Sequence, residues 1–317
     1  MKILIGYDGS ESSDAAIDDL QRAGLPRDSE AKVIAVGDLL MSNPSPAEMV
    51  NAALASPRVA ASLQQPQSHA ARVITQKGEF AKAAADKLRL QFPEWKVSFE
   101  VVTGTPAWVL IEAAKSWKAD LTVIGSQDRS TLGRLFLGSV SKSVATDATC
   151  SVRVARRTAN RKPGGPRIII GVDGSPAAEQ AIYSVGQRVW DEGTEVKLVA
   201  VDEGPLPPAR VSTFLPQAAE MLRGYVQQKE SRVQSMLDWA TEELGNIGLQ
   251  TSVFTGKGEP SRILIEEAHK WNADSIFVGT RDFDSAFERF RLGSVSTAVV
   301  SKAHCSVEIV RPPHTQA

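Results

Sequence analysis

Leu137-Gly138-Ser139-Val140-Ser141 recurs later in the chain as Leu292-Gly293-Ser294-Val295-Ser296, and each copy is followed by a Cys-Ser-Val strand, at Cys150 and Cys305. Working outward, Ile5-Gly6-Tyr7-Asp8-Gly9-Ser10 is answered by Ile170-Gly171-Val172-Asp173-Gly174-Ser175, and Gly104-Thr105-Pro106-Ala107 by Gly258-Glu259-Pro260-Ser261. Signals repeated in one order make the chain a tandem pair of one unit, each of ordinary domain size. The offset between copies is 165 residues at Asp-Gly-Ser but 154 at Gly-x-Pro. The first copy therefore carries roughly ten extra residues, placed in the Ser-, Pro-, Gln- and Ala-rich stretch 40–71, which reads as a long, mobile loop with some helix. The expected division is 1–157, a linker 158–166 centred on Arg161-Lys162-Pro163-Gly164-Gly165-Pro166, 167–311, and a tail 312–317.

Short Val- and Ile-rich runs alternate with helix-length segments, at 3–6, 32–36, 97–102, 121–125 and 151–155, then at 167–171, 196–201, 251–255, 275–279 and 306–310. That alternation predicts an α/β protein of two tandem doubly wound domains, each a parallel sheet covered by helices on both faces. Ser10 and Ser175 are expected helix N-caps, the latter followed by Pro176 at the first helical position. In such a sheet ligands sit beyond the carboxyl ends of the strands where strand order reverses. The turns 7–10 and 126–141, and 172–175 and 280–296, are the places to look. Gly-Ser-Val-Ser opens a helix marked by Val140 and Val144, or Val295 and Val299. A glycine admitting close approach, free backbone N–H groups and a hydroxyl at a helix N-terminus together make an anion site.

Bulk composition narrows the function classes. The chain of 317 residues is 42% hydrophobic and 23% charged with a formal net charge of -1, which excludes a globally basic nucleic-acid binder. No apolar run approaches a secretory core or a membrane span, so a cytoplasmic protein with no membrane partner is expected. Cys150 and Cys305 hold equivalent places before apolar strands and read as buried core thiols, with neither a bridge nor a metal site expected. His69, His269, His304 and His314 are scattered and stand beside no nucleophile. Trp108, Trp117, Trp239 and Trp271 read as packing residues, and Arg156-Arg157 and Arg161-Lys162 as a solvated linker edge. No phosphate loop of the Gly-Lys-Ser/Thr type and no catalytic triad can be placed, so no catalytic residues are expected.

Taken together, in order and twice over, these signals resemble the universal stress proteins, as a tandem two-domain member. The markers are the strand followed by Asp-Gly-Ser, Gly-x-Pro before the third helix, Ala119-Asp120 and Ala273-Asp274 before the fourth strand, and the glycine loop ending in Gly-Ser-Val. Only 40–71 and the linker fall outside the resemblance. It implies an adenine-nucleotide alpha hydrolase-like fold that holds ATP or AMP, with Mg²⁺ accompanying ATP. In the first copy Asp8 and Val36 would flank the adenine, Gly125 would lie under the ribose, and Gly138, Ser139, Val140 and Ser141 would receive the phosphates. Asp173, Ala200, Gly279, Gly293, Ser294, Val295 and Ser296 would serve the second copy. The resemblance also implies that the copies pack as an internal pseudo-dimer through their final strands, 151–155 and 306–310, with room for a homodimer beyond it.

The family pattern is Gly-x-x-Gly, nine residues, then Gly-Ser or Gly-Thr, and this chain departs from it. Asp128 and Asp282 stand where the second glycine belongs, and the second loop is one residue longer before Gly293. An aspartate brings a Cβ to a place of close approach and a like charge beside an anion. Two such charges at about 4 Å with an effective dielectric near 20 repel by roughly 4 kcal/mol as an upper guide. Arg129 and Arg134 would offset Asp128. In the second copy Asp282, Asp284 and Glu288 would have to be offset by Arg281, Arg289 and Arg291. Nucleotide is therefore expected to be held weakly, and better in the first copy. Two other readings stay open: an interaction scaffold without nucleotide, whose 40–71 stretch docks a protein partner, and a slow ATP hydrolase in which Asp128 holds a divalent ion. Asp8 and Asp173 also read as turn-formers, and Ser139 and Ser294 as N-caps.

Overall fold

The expected alternation is laid out in full in a computed structural model, which describes residues 1–37, 66–126, 137–157, 164–204, 216–280 and 292–312. The first copy runs β1 (Lys2–Gly6), α1 (Glu11–Asp19), β2 (Glu30–Gly37), α2 (Pro66–Gln91), β3 (Lys96–Thr103), α3 (Pro106–Trp117), β4 (Leu121–Gly125), α4 (Ser139–Asp147) and β5 (Ser151–Ala155). The second runs β6 (Arg167–Val172), α5 (Pro176–Gly186), β7 (Glu195–Asp202), α6 (Pro216–Asn246), β8 (Gln250–Lys257), α7 (Pro260–Trp271), β9 (Ser275–Gly279), α8 (Ser294–Lys302) and β10 (Ser306–Val310). Of the stretch 40–71, residues 40–65 lie outside the described residues, and the remainder begins α2.

The strands form one 10-stranded sheet ordered β3-β2-β1-β4-β5-β10-β9-β6-β7-β8. Pairing is parallel within each copy, and strand order reverses beside β1 and β6, the doubly wound pattern. The copies meet through their final strands, where β5 and β10 pair antiparallel with Val154 opposite Val307, Arg153 opposite Glu308 and Val152 opposite Ile309. One face of the joined sheet carries a single apolar core through both copies, including Leu4, Ile34, Val152 and Val154 with Ile169, Val199, Val307 and Ile309. The other face carries two separate cores, one per copy.

On that second face charged side chains cross the seam between the two cores. Arg153 and Glu308 are both 0% exposed. Arg153 Nη1 donates to Glu308 Oε2 at 3.2 Å and Arg153 Nε to Asp19 Oδ2 at 2.7 Å, while Arg188 Nη1 donates to Glu308 Oε2 at 3.1 Å. A buried charge survives only when paired and hydrogen-bonded, and removing one member of such a group costs about 3–5 kcal/mol. Two further arginines cross reciprocally. Arg156 reaches the carbonyls of Cys305 (3.3 Å) and Val300, and Arg311 reaches those of Cys150 (3.1 Å) and Ala145 (2.6 Å). Each guanidinium thus caps the C-terminal end of the other copy's last helix, where carbonyls lack intrahelical donors and a cation is favoured. Arg156, at 2% exposure, is therefore no solvated linker edge, whereas Arg157 is exposed.

Cys150 and Cys305 are free and buried as expected, with burial raising both thiols and pushing Cys305 up to about 12. Trp117 and Trp271 pack on the shared core, and Trp239 packs on the second copy's own core. Trp108 departs from the packing expectation, standing 65% exposed on α3.

Ser10 caps α1 by accepting the N–H of Ser13, and Ser175 caps α5 by accepting that of Ala178 with Pro176 in the first turn. At α4 and α8 the N-cap positions belong to Gly138 and Gly293 instead, so Ser139 and Ser294 are the first helical residues, not caps. Helices α1 and α5 lie so close to the ends of β4 and β9 that a Cβ on Gly125 would meet Ser12 O at 2.3 Å, and one on Gly279 would meet Ala177 O at 2.3 Å. Backbone cannot yield as a side chain can, so Gly125→Ala and Gly279→Ala should each destabilise the nucleotide-free protein by about 1–3 kcal/mol. Denaturant titration without ligand measures this, and an unchanged midpoint would show that the helix moves aside freely.

A pH dependence follows from His304, whose ring meets that of His269 edge-on at 5.0 Å between centroids. Burial first, then His269 and Arg156, hold its imidazole below the ordinary value. The fold favours neutral His304, so its contribution is present above the unfolded pKa of about 6.5 and is lost as pH falls through the lower folded value. Thermal midpoints measured from pH 7.5 to 5 should fall, and His304→Asn should flatten part of that slope.

Candidate functional site

A cavity opens at the carboxyl ends of β1 and β4 in the first copy, with a counterpart at β6 and β9 in the second. The first, about 370 Å³, is lined by Asp8, Val36, Gly125, Gly138, Ser139, Val140 and Ser141. These residues are far apart in sequence, and the strand-order reversal brings them together. The second, about 230 Å³, is lined by Asp173, Gly279, Gly293, Ser294, Val295 and Ser296. Ala200, expected beside them, belongs to the core on the opposite face of the sheet, and Val201 lines the cavity in its place. The pairing register matches Gly6 with Ile34 and Gly171 with Val199, so Val201 is the counterpart of Val36. A slip of one residue along a strand exchanges its faces.

Asp8 and Asp173 shape the turns that open α1 and α5. Asp8 Oδ1 accepts the N–H of Ser10 at 2.9 Å, and Asp173 Oδ1 accepts that of Ser175 at 3.0 Å, so both act as turn-formers. Gly9 and Gly174 follow at φ 86° and 77°, the left-handed region that favours glycine. For Asp8 burial works to raise the carboxyl, but hydrogen bonds from Ser10 and Ser13 and the nearby Lys77 charge outweigh it and hold the group below its ordinary range. Beside it, burial and Asp14 push the Tyr7 phenol well above its usual value, and its hydroxyl donates to Asp14 Oδ1 at 2.6 Å.

At the other wall the first intrahelical backbone bond of α4 runs from Lys142 N to Gly138 O at 2.9 Å, and that of α8 from Thr297 N to Gly293 O at 2.9 Å. The amides of the three residues before each donor have no intrahelical acceptor and form the end of the helix that favours an anion. Gly138 and Gly293 adopt extended backbone, φ -61° and -64°. Ser139 and Ser294 are exposed at this end. The hydroxyls of Ser141 and Ser296 are used within the protein, which leaves their backbone amides at the helix N-terminus. Ser141 Oγ donates to Gly125 O at 2.8 Å and Ser296 Oγ to Gly279 O at 2.9 Å, fastening helix to strand. Ser126 Oγ, one residue beyond Gly125, is buried without a hydrogen-bond partner among the described residues. Asp128 and Asp282 lie outside the described residues, as do the loop arginines that would offset them.

Two charged lining residues escaped the sequence reading. Lys77 of α2 lines the first cavity, and its Nζ donates to Asp8 O at 2.9 Å. Matching the buried positions Ala81, Ala84 and Leu88 of α2 with Leu237, Ala240 and Leu244 of α6 puts Val233 where Lys77 stands. Glu203 lines the second cavity. One mouth is therefore cationic on this side and the other acidic. The only signal for Lys77 is the helical phase of α2, which becomes usable once its buried face is known. Among the described residues no group of three or more His, Cys, Asp or Glu stands at metal-binding spacing.

Residues 1–156 and 166–311 each match the model of the universal stress protein family. A universal stress protein of Mycolicibacterium smegmatis is 28% identical over 322 residues, spanning 98% of this chain and 97% of its own. Universal stress protein Mb2019 of Mycobacterium bovis is 25% identical over 325 residues, spanning 99% and 96%. Among solved structures, a universal stress protein from Archaeoglobus fulgidus superposes with a TM-score of 0.64 at 18% identity, covering 99% of this chain and 97% of that one, a likeness of fold. With the family matched in both halves and the doubly wound sheet repeated in each, the chain belongs to the universal stress protein family as a tandem two-domain member.

Proposed function

We propose that this chain is a cytoplasmic stress-response protein that binds an adenine nucleotide in its first copy and senses it without efficient turnover. The observation that carries this reading is the difference between the two mouths. The first has the volume of a small-ligand pocket, an apolar floor at Ile34, Val36 and Leu110, an unsatisfied helix N-terminus and the cation of Lys77. Adenine fits the apolar floor, and phosphates fit the amides of Ser139, Val140 and Ser141 with Lys77 at the rim. When ATP is bound, Mg²⁺ would neutralise part of its charge. The second mouth is smaller and adds the carboxylate of Glu203, which opposes an anion. That asymmetry supports a scaffold role for the second copy.

Calorimetric titration with ATP and AMP in Mg²⁺ buffer tests the assignment. Gly138→Val with Ser139→Ala should abolish most binding by the whole chain, because valine blocks approach to the helix N-terminus, while Gly293→Val with Ser294→Ala should change little. Binding that survives the first pair and disappears with the second would reverse the assignment.

Lys77→Ala should weaken nucleotide affinity about three- to fivefold, the scale of one partly exposed charge, and reduce the salt dependence of binding. Equal affinities in low and high salt for wild type and variant would remove Lys77 from the site.

A further inference from the structure

The seam carries a charge pattern that the repeat itself makes informative. Cys150-Ser151-Val152-Arg153 and Cys305-Ser306-Val307-Glu308 occupy matching places in the two copies, and the register sets Arg153 directly opposite Glu308. The pseudo-twofold axis relating the copies therefore passes between two equivalent positions that carry opposite charge. Flanking positions are unequal too. At the 165-residue offset of the first helices, Asp19 corresponds to Ser184 and Ala23 to Arg188. The result is a buried row of alternating sign, Asp19, Arg153, Glu308, Arg188, held by Arg153 Nε to Asp19 Oδ2 at 2.7 Å, Arg153 Nη1 to Glu308 Oε2 at 3.2 Å, and a two-point contact of Arg188 with the Glu308 carboxylate. Ser306 Oγ adds a bond to Asp19 Oδ1 at 2.8 Å.

Away from the strands Arg22 is also unequal, pairing with Asp274 of the second copy at 3.0 Å where the equivalent position holds Gln187, but among the described residues the remaining β5–β10 contacts do not distinguish the copies. Val152 and Val154 meet Ile309 and Val307, and valine or isoleucine would pack in either partner. The caps are arginines on both sides, Arg156 and Arg311. A β5 edge meeting a second β5 edge in this register would bring two Arg153 guanidiniums together, and two β10 edges would bring two Glu308 carboxylates together. At 0% exposure neither contact has solvent to screen it.

We propose that this row is a pairing code: the β5 edge accepts a β10 edge and refuses a second β5, so contact between two copies of this chain through these strands occurs only by exchange of opposite halves. The partner that fits either edge is the other half, in the same chain or in a second one. Discrimination of this kind arises from repulsion in the wrong pair as much as attraction in the right one.

Full-length chains with paired substitutions test it while keeping each half locally neutral. Glu308→Arg with Arg188→Glu gives both edges a cation at the axis with an acid beside it, and Asp19→Arg with Arg153→Glu gives both edges an anion with a base beside it. Sedimentation velocity should find each variant alone as an opened, slower-sedimenting monomer. An equimolar mixture should form a heterodimer at least tenfold tighter than either self-association. A chain with all four substitutions restores the alternating row with signs exchanged, and should return to the closed monomer. The proposal is overturned if either two-substitution chain stays closed like wild type, if it self-associates as tightly as the mixture, or if the mixture stays monomeric. Should the two-substitution chains fail to fold, the four-substitution chain decides. Its recovery as a closed monomer supports the code, and its failure overturns it.

Discussion

Each doubly wound half, taken alone, ends in a strand whose outer N–H and C=O groups have no partner, and β5 and β10 answer that need by pairing with each other. The rest of the molecule depends on this seam. It merges the apolar face of both copies into one core and buries Arg153, Glu308, Arg156 and Arg311. Buried ion pairs repay their desolvation poorly compared with apolar packing, so the value of such a row lies more in choosing a partner than in net stability. The sheet's remaining edges, β3 and β8, are half-open strands with Lys96, Glu100 and Lys257 among their exposed residues, and charges on an edge discourage further strand addition.

The strands and the doubly wound topology were legible because their signals are local and repeated. Val- and Ile-rich runs of strand length, turn glycines and N-cap serines each act within a few residues, and a tandem chain states them twice. The seam was legible only through resemblance. Arg156 looked like the start of a basic linker because its neighbours are Arg157 and, further on, Arg161 and Lys162. Its acceptors are carbonyls of the other copy, Cys305 and Val300, which no local pattern reveals. Arg153 and Glu308 likewise read as ordinary members of short strands until the register sets them opposite each other.

The candidate site was legible as a set of places more than as a set of contacts. Gly125, Gly138 and Ser139 converge at one mouth, but Gly125 is also required where α1 crosses the end of β4, so its presence alone does not report a ribose. The Ser141 hydroxyl is spent on Gly125 O, so what this residue offers a phosphate is its amide. Ala200 was off by one residue because a strand buried on both faces offers no alternation to fix its register. Lys77 comes from a helix whose start could not be placed within the stretch that distinguishes the copies.

Because strands are parallel within each copy and antiparallel across the seam, the two mouths open at opposite ends of the sheet. Helix α4 nevertheless ties the first mouth to the second copy. Its nine residues span about 13.5 Å, from the amides at Ser139 to the carbonyls of its last turn. The first end lines the cavity, and the carbonyls of Ala145 and Thr146 accept from Arg311. Burial lowers the Arg311 guanidinium to about 10, still far above neutrality, so the cap remains charged. Helix α8 is held in the same way, with Gly293 and Ser294 at the second mouth and the Val300 carbonyl on Arg156. Each helix that presents free amides to a mouth is therefore anchored at its far end by the opposite copy, and a change that opened the seam would release both helices from that anchor.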